Sequence, residues 1–226
     1  MTLAAEPLIE RSLLRLPGVY PPQEDTLLLA QALDREEMPP GTEVLDVGTG
    51  SGALALRAAH PGVRVTAVDR DRRAVLTARL NARRFHRRVR VRRGDLFDAV
   101  AGRDFDLIVS NPPYVPAPPA PLPRPLASRA WDGGTDGRAV VNRLCDGAPK
   151  MLRPHGVLLM VQSGLCGTDR TMHRLARSGL RATVHDRAHI PFGPVLRSRA
   201  EWLSSVGLLE GSEQHEELVI IRAQRP

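Results

Sequence analysis

The chain has 226 residues, of which 42% are hydrophobic and 25% charged, so it can bury one core as a single domain, and this excludes a disordered chain or a disulfide-stabilised miniprotein. Lys150 is the only lysine among the 32 basic residues, so the other 31 are arginine. This bias is typical of a GC-rich genome. The net charge of +7 therefore does not by itself establish a nucleic-acid partner. No apolar run approaches the roughly 18 residues that cross a bilayer, and Glu6 and Arg11 stand where a signal peptide needs apolar residues, so we expect a cytoplasmic protein without membrane contact.

Short β-branched runs alternate along the chain with stretches rich in Ala, Leu and Arg, which predicts strands separated by helices. The predicted strands cover 43–47, 63–68, 89–91, 106–110, 156–162, 180–186 and 217–222. The predicted helices cover 53–59, 71–84, 138–152, 169–178 and 197–206, after a helical lead-in within 1–40. This alternation favours an α/β fold in which helices cover both faces of a mainly parallel sheet. Ligands of such sheets bind beyond the carboxyl ends of the strands, near the point where the strand order switches.

A glycine-rich loop follows the first predicted strand. From Asp46 the sequence runs DVGTGSG, with glycine at every second position. Glycine is required where the backbone takes a positive φ or approaches a ligand closely, so Gly48, Gly50 and Gly52 predict a tight shelf for a cofactor. A dinucleotide-binding loop would use the longer G-x-G-x-x-G spacing, which is absent because Ala53 follows the third glycine.

Carboxylates follow three successive predicted strands. Asp69 ends the second strand, where it can accept two hydrogen bonds from a ribose diol, and Asp95 follows the third, where it can accept from an adenine amino group beside Leu96. Asp46 either organises the loop or faces an ammonium group. A ligand with an amino group, a diol and a purine fits all three, and that ligand is S-adenosyl-L-methionine. One Asp after a strand is usually a cap or turn residue, but three in register with the glycine loop favour the cofactor.

The fourth predicted strand ends in the motif NPPY, which begins at Asn111. A nitrogen conjugated to a carbonyl or an aromatic ring is a poor nucleophile because its lone pair is delocalised. The side-chain oxygen of Asn111 and the main-chain carbonyl of Pro112 can accept its two N–H bonds and aim the lone pair, while Tyr114 covers the planar group. Prolines fix φ and remove competing donors, so this chemistry would rest on positioning. In isolation the same residues would be a plain proline turn.

The chain resembles the HemK-type family of class I, Rossmann-like S-adenosylmethionine-dependent methyltransferases, which methylate the glutamine amide of translation release factors. The resemblance covers about 20–162 and includes the glycine loop, NPPY, YPPQEDT at 20–26 and WDGGTDGR at 131–138. It implies a seven-stranded sheet with an antiparallel last strand and methyl transfer to a glutamine side chain of a protein. The cofactor contacts that it implies come from Thr26, Asp46, Gly48, Asp69, Asp95, Leu96 and Asn111.

The segment before the core is similar to that of the shorter, archaeal and eukaryotic-like branch of the family, which implies a small activator subunit. About 40 residues precede the first strand, whereas longer bacterial members carry a helical substrate-binding domain there. The loop 112–137 is rich in Pro and Gly, with eight prolines within 112–125, and is a candidate substrate wall.

Alternative functions are compatible with the same motifs. NPPY is shared with adenine and guanine methylases, so a methylase of rRNA, tRNA or DNA bases, or of a small molecule, is the alternative enzyme, and a non-catalytic binding module is the alternative of another class. Seven arginines within 83–93 either bind nucleic-acid phosphates or, alternating with Val89 and Val91, protect an edge strand, which is the favoured explanation. His185 and His189 fall at an expected strand end and loop, so no metal site is predicted.

Overall fold

The computed structural model of the chain describes residues 12–119, 127–210 and 213–226. Within these ranges the strands are β1 Glu43–Val47, β2 Arg64–Asp69, β3 Val89–Arg93, β4 Phe105–Ser110, β5 Leu152–Ser163, β6 Arg181–Pro191 and β7 His215–Gln224. The α-helices are α1 Glu24–Leu33, α2 Ala53–Ala58, α3 Arg72–Arg84, α4 Ala139–Met151, α5 Thr168–Arg177 and α6 Pro194–Ser205.

All seven strands belong to one sheet in the order β3-β2-β1-β4-β5-β7-β6. β7 is antiparallel to both of its neighbours, whereas the other pairs are parallel. The prediction of a mainly parallel α/β sheet with an antiparallel last strand is therefore confirmed. The strand order reverses between β1 and β4, so a crevice opens beyond their carboxyl ends.

The centre of the sheet is the core of the described structure. Leu45 in β1 and Ile108 in β4 are fully buried, as expected for parallel strands covered on both faces. α3 covers one face through Val75 and Ala78, and it begins where the side chain of Asp71 accepts a hydrogen bond from the backbone N–H of Arg73 at 2.7 Å. The apolar runs of the central strands and the capping residue of α3 are local features of the sequence. For this reason the central elements lie close to their predicted positions.

The strands after the core differ from the prediction. β6 continues to Pro191 and pairs there with His215, so His185 and His189 lie inside a strand and not at a strand end and in a loop. The cause is pairing with β7, which begins earlier than predicted and supplies partners as far as Ile190 and Pro191. The sequence pattern of one strand cannot show how far its partner extends.

The two outer strands are β3 and β6. In β3, Val91 is buried while Arg90 and Arg92 are exposed, which agrees with the expected edge strand. None of the helices in the part of the chain described is long and apolar enough to span a membrane.

Candidate active site

A cavity of about 870 Å³ lies beyond the carboxyl ends of β1, β2 and β4, at the switch in strand order. Nine of the predicted site residues line it: Thr26, Gly48, Gly50, Asp69, Asp95, Leu96, Asn111, Pro112 and Tyr114. The fold therefore brings together residues from five separate stretches of sequence. Asp46 and Gly52 do not line the cavity.

The glycine loop forms one wall of the cavity. Gly48 and Gly50 have φ angles of +74° and +54°, which side-chain-bearing residues rarely adopt. The N–H of Gly50 donates to the carboxylate of Asp69 at 2.9 Å and so joins the loop to the end of β2. Gly52 instead packs against α3, where a Cβ would lie 3.2 Å from Cα of Ala78. Close packing of helix and loop requires this glycine, and a contact of Gly52 with the cofactor stays a prediction.

Asp46 lies buried beneath the loop. One of its carboxylate oxygens accepts hydrogen bonds from Oγ1 of Thr49 at 2.6 Å and from the N–H of Ala55 at 3.1 Å. Its other oxygen has no hydrogen-bond partner among the described residues, and burial raises its pKa to about 7. Of the two roles predicted for Asp46, these hydrogen bonds match loop organisation, and a direct contact with the cofactor stays a prediction.

Asp69 is the carboxylate best placed for a diol. It closes β2 and accepts from the backbone N–H groups of Gly50 and Asp71, both at 2.9 Å. Burial raises its pKa, and these backbone hydrogen bonds oppose that rise. Each oxygen keeps a lone pair available, so the carboxylate can accept two further hydrogen bonds from a ligand.

Asp95 carries a partner that the sequence did not indicate. Its two oxygens accept from the guanidinium of Arg143 in α4 at 3.3 and 2.8 Å, and both residues line the cavity. Beside them Leu96 has a φ of +50°. An adenine amino group would therefore meet a carboxylate already oriented by an arginine, and no signal in the sequence connects the two residues.

The amide of Asn111 is held in one orientation. Its Nδ2 donates to a carboxylate oxygen of Asp25 at 3.0 Å and to Oγ1 of Thr26 at 3.1 Å. Because a carboxylate only accepts hydrogen bonds, the nitrogen end of the amide must face α1. Oδ1 of Asn111 and the main-chain oxygen of Pro112 receive no hydrogen bond from a described residue, so both remain available as acceptors.

Asp25 is the residue that sequence reasoning missed. One of its oxygens accepts from the hydroxyls of Tyr20 and Tyr114 as well as from Asn111, each at 3.0 Å. Its other oxygen accepts from the N–H of Thr26 at 2.6 Å. Asp25 is buried, and the pKa values of both tyrosines are raised by burial and by its charge. In the sequence it is an acid in the first turn of a helix, which usually complements the helix dipole.

The residues that follow NPPY pair through backbone hydrogen bonds with the start of the segment WDGGTDGR at 131–138. The N–H of Val115 donates to Trp131, and the N–H of Gly133 donates back to Val115, each at 2.8 Å. Trp131 and Val115 also line the cavity. The predicted substrate loop 112–137 therefore contributes a wall, although residues 120–126 of its proline-rich part lie outside the described residues.

Comparison with known proteins finds that this chain is similar to methyltransferases. A family model described as the methyltransferase small domain matches residues 10–118. A protein of Methanocaldococcus jannaschii named for protein N5-glutamine methylation is 33% identical over 78% of this chain and 88% of its own length. The release factor glutamine methyltransferase of Geobacter sulfurreducens is 35% identical over 72% of this chain and 59% of its own length. Among solved structures, the E. cuniculi Mtq2-Trm112 complex, described as responsible for methylation of the eRF1 termination factor, matches 92% of this chain and 99% of its own with a TM-score of 0.63 and 24% identity.

Proposed function

Because the chain belongs to the HemK-like family of class I, Rossmann-like methyltransferases, we propose that it moves the methyl group of S-adenosylmethionine to the side-chain amide nitrogen of a glutamine in a protein. The observation that carries the proposal is the locked amide of Asn111, which leaves its Oδ1 and the carbonyl of Pro112 as a pair of free acceptors. Such a pair matches the two N–H bonds of a primary amide.

The cavity fits the methyl donor. Gly48 and Gly50 provide a shelf without side chains, Asp69 offers acceptors for a ribose diol, and Asp95 with Leu96 faces the position of a purine. When bound, S-adenosylmethionine supplies an electrophilic methyl group on a positively charged sulfur. The buried carboxylates around the cavity favour a cation there.

The protein's own contribution to the reaction is orientation. Asn111 and Pro112 accept the two N–H bonds of the acceptor amide and hold its nitrogen in one position. The ring of Tyr114 is fixed because its hydroxyl binds Asp25, so it gives the planar group a rigid surface. Immobilised acceptors of this kind need no reorganisation during the reaction.

We extend the proposal to the partners. Relatives of this chain are named for release factors, and the E. cuniculi structure contains the second protein Trm112. A cytoplasmic translation release factor is therefore the protein substrate that we propose, with a small activator subunit. A purified chain whose rate does not increase when cell extract is added would contradict the need for the subunit.

Labelling tests the function. The full chain is incubated with methyl-labelled S-adenosylmethionine and cell extract, and we expect label that protease releases and nuclease does not. Acid-free digestion and mass spectrometry should place the methyl group on a glutamine side chain. Label that enters RNA or DNA would instead establish the alternative, a base methylase, and label in neither fraction would favour a small-molecule acceptor.

A further inference from the structure

A second concave surface lies at the C-terminal end of α3, whereas the active site lies at the N-terminal end of this helix. It has a volume of about 580 Å³ and lies between the end of α3 and the open edge of β3. Six exposed arginines on these two elements and the turn between them form what we name the arginine patch. Its members are Arg79, Arg83 and Arg88, which line the concave surface, and Arg84, Arg90 and Arg92, which are exposed beside them in the sequence.

The arginine patch has no acidic counterpart in the described structure. No Asp or Glu occurs in the sequence from Arg72 to Gly94. Within the described ranges, no carboxylate lies within 4 Å of a patch guanidinium, whereas eleven arginines elsewhere form such ion pairs, for example Arg174 with Asp146 at 2.6 Å. A compositional excess of arginine would affect the whole surface alike. Arginines without an ion pair to a described residue also occur elsewhere, as at Arg177, Arg181 and Arg197, but the arginine patch gathers six of them within positions 79–92.

Protection of an edge strand explains only part of the arginine patch. The guanidinium of Arg79 donates to the main-chain oxygen of Val91 at 2.9 Å, which already occupies one open acceptor of the β3 edge. Arg83 and Arg84 belong to α3, and their guanidinium groups make no hydrogen bond to a described residue, so these side chains contribute nothing to blocking that edge. Their charge remains available to a ligand.

The geometry points to a linear polyanion. Arg90 and Arg92 stand at alternate positions of β3, which spaces them about 6.6 Å apart on one side of the strand, and Arg88 directly precedes β3. A guanidinium can bind a phosphate with two parallel hydrogen bonds. The nearby ring of Phe85 packs against Leu56 and is not free to stack on a base. We propose that the arginine patch binds the phosphate backbone of a nucleic-acid strand without reading its sequence.

Fluorescence anisotropy tests the proposal on the full chain. The probe is a fluorescein-labelled oligouridylate of about 16 nucleotides. A triple variant, Arg83→Gln with Arg88→Gln and Arg90→Gln, should bind it at least about tenfold more weakly at 50 mM salt, and the slope of log affinity against log salt should become shallower by about two. Unchanged affinity and slope would overturn the proposal.

A matched control removes the same charge from the other side of the molecule. Arg177→Gln with Arg181→Gln and Arg197→Gln changes exposed arginines on α5, β6 and α6, none of which forms an ion pair with a described residue. We expect this variant to bind the probe within about twofold of the unmodified chain. If both triple variants bind the probe equally weakly, only the net charge matters. If polyglutamate binds as tightly as the probe and its binding also depends on the arginine patch, the partner is an acidic protein. Either result overturns the proposal. Thermal unfolding of all three proteins confirms that they are folded.

Discussion

The side-chain nitrogen of Asn111 lies 3.0 Å from a carboxylate oxygen of Asp25, although 86 positions separate the two residues in the sequence. This contact determines which end of the amide faces α1 and which end is left for an acceptor. A buried helix residue thus orients the motif on which the proposed chemistry depends. It also binds Tyr114, so one carboxylate positions two residues of NPPY.

Replacing Asn111 with Ala tests the acceptor site. Asn111→Ala removes one of the two free oxygens, so we expect the rate of methyl transfer to fall at least about 100-fold. Calorimetric titration should give a Kd for S-adenosylmethionine within about threefold of the unmodified protein, because the glycine loop and Asp69 remain. Unchanged turnover would contradict the role assigned to the amide.

Asp69→Ala is the complementary change at the donor site. Loss of the carboxylate removes the acceptors proposed for the diol, each of which contributes about 1.5–3 kcal/mol when charged. Two such hydrogen bonds amount to about 3–6 kcal/mol, so we expect cofactor binding to weaken at least about 100-fold, measured by the same titration. The exposed residue Asp98 supplies a control, since Asp98→Ala should leave the Kd unaltered.

Asp25→Asn tests whether Asp25 acts through Asn111. An asparagine at position 25 can present an N–H₂ group to Asn111 and release the amide from its single orientation. We expect kcat to fall about 10- to 100-fold while the cofactor Kd changes little. Asp146→Asn is the matched control, because Asp146 is an exposed partner of Arg174 and does not line the cavity. A purely structural role for Asp25 would instead change kcat and cofactor binding together.

Asp46 should make stability depend on pH. Its pKa is raised from 3.8 to about 7 by burial, so between these values the folded state binds a proton that the unfolded state has lost. The free energy of unfolding of the unmodified protein therefore falls as pH rises through this window, by up to about 1.4 kcal/mol per pH unit, and levels off above it. The Asp46→Asn variant has no carboxylate to titrate at this position, so it does not lose this stability. Denaturant unfolding should therefore show the free energy of unfolding of the variant, measured against that of the unmodified protein, increasing from about pH 4 to about pH 7. A constant difference would show that the carboxylate is ionised throughout.

Gly137 and Gly102 have nearly the same backbone conformation but different surroundings. Replacing each with Ala therefore distinguishes the cost of backbone strain from the cost of steric crowding. Gly137 and Gly102 have φ angles of +73° and +76°. A Cβ at Gly137 would collide with the main-chain oxygen of Tyr114, whereas nothing lies within 4 Å of a Cβ at Gly102. Gly102→Ala should cost about 1–2 kcal/mol from backbone strain alone. Gly137→Ala should cost more than this in denaturant unfolding and also slow methyl transfer, because it displaces the residue that covers the acceptor.

The alternation of strands and helices was readable from the sequence because local periodicity follows burial on each element. The exceptions are informative. β6 extends to Pro191 because β7 reaches back to His215, and such pairing is a property of two distant segments. Gly52 and Asp46 fit the spacing of a cofactor loop, but spacing does not distinguish a glycine needed by a ligand from one needed by a neighbouring helix.

By itself the sequence determined the type of sheet, the glycine loop, the carboxylates at the strand ends and the acceptor motif, since each of these is encoded within a few consecutive residues. The tertiary structure alone decided the orientation of the Asn111 amide, the central position of Asp25 and the pairing of Asp95 with Arg143. The contact of Asn111 with Asp25 joins residues 86 positions apart and that of Asp95 with Arg143 residues 48 apart, and both exist only because the sheet brings the ends of distant strands and helices to one edge.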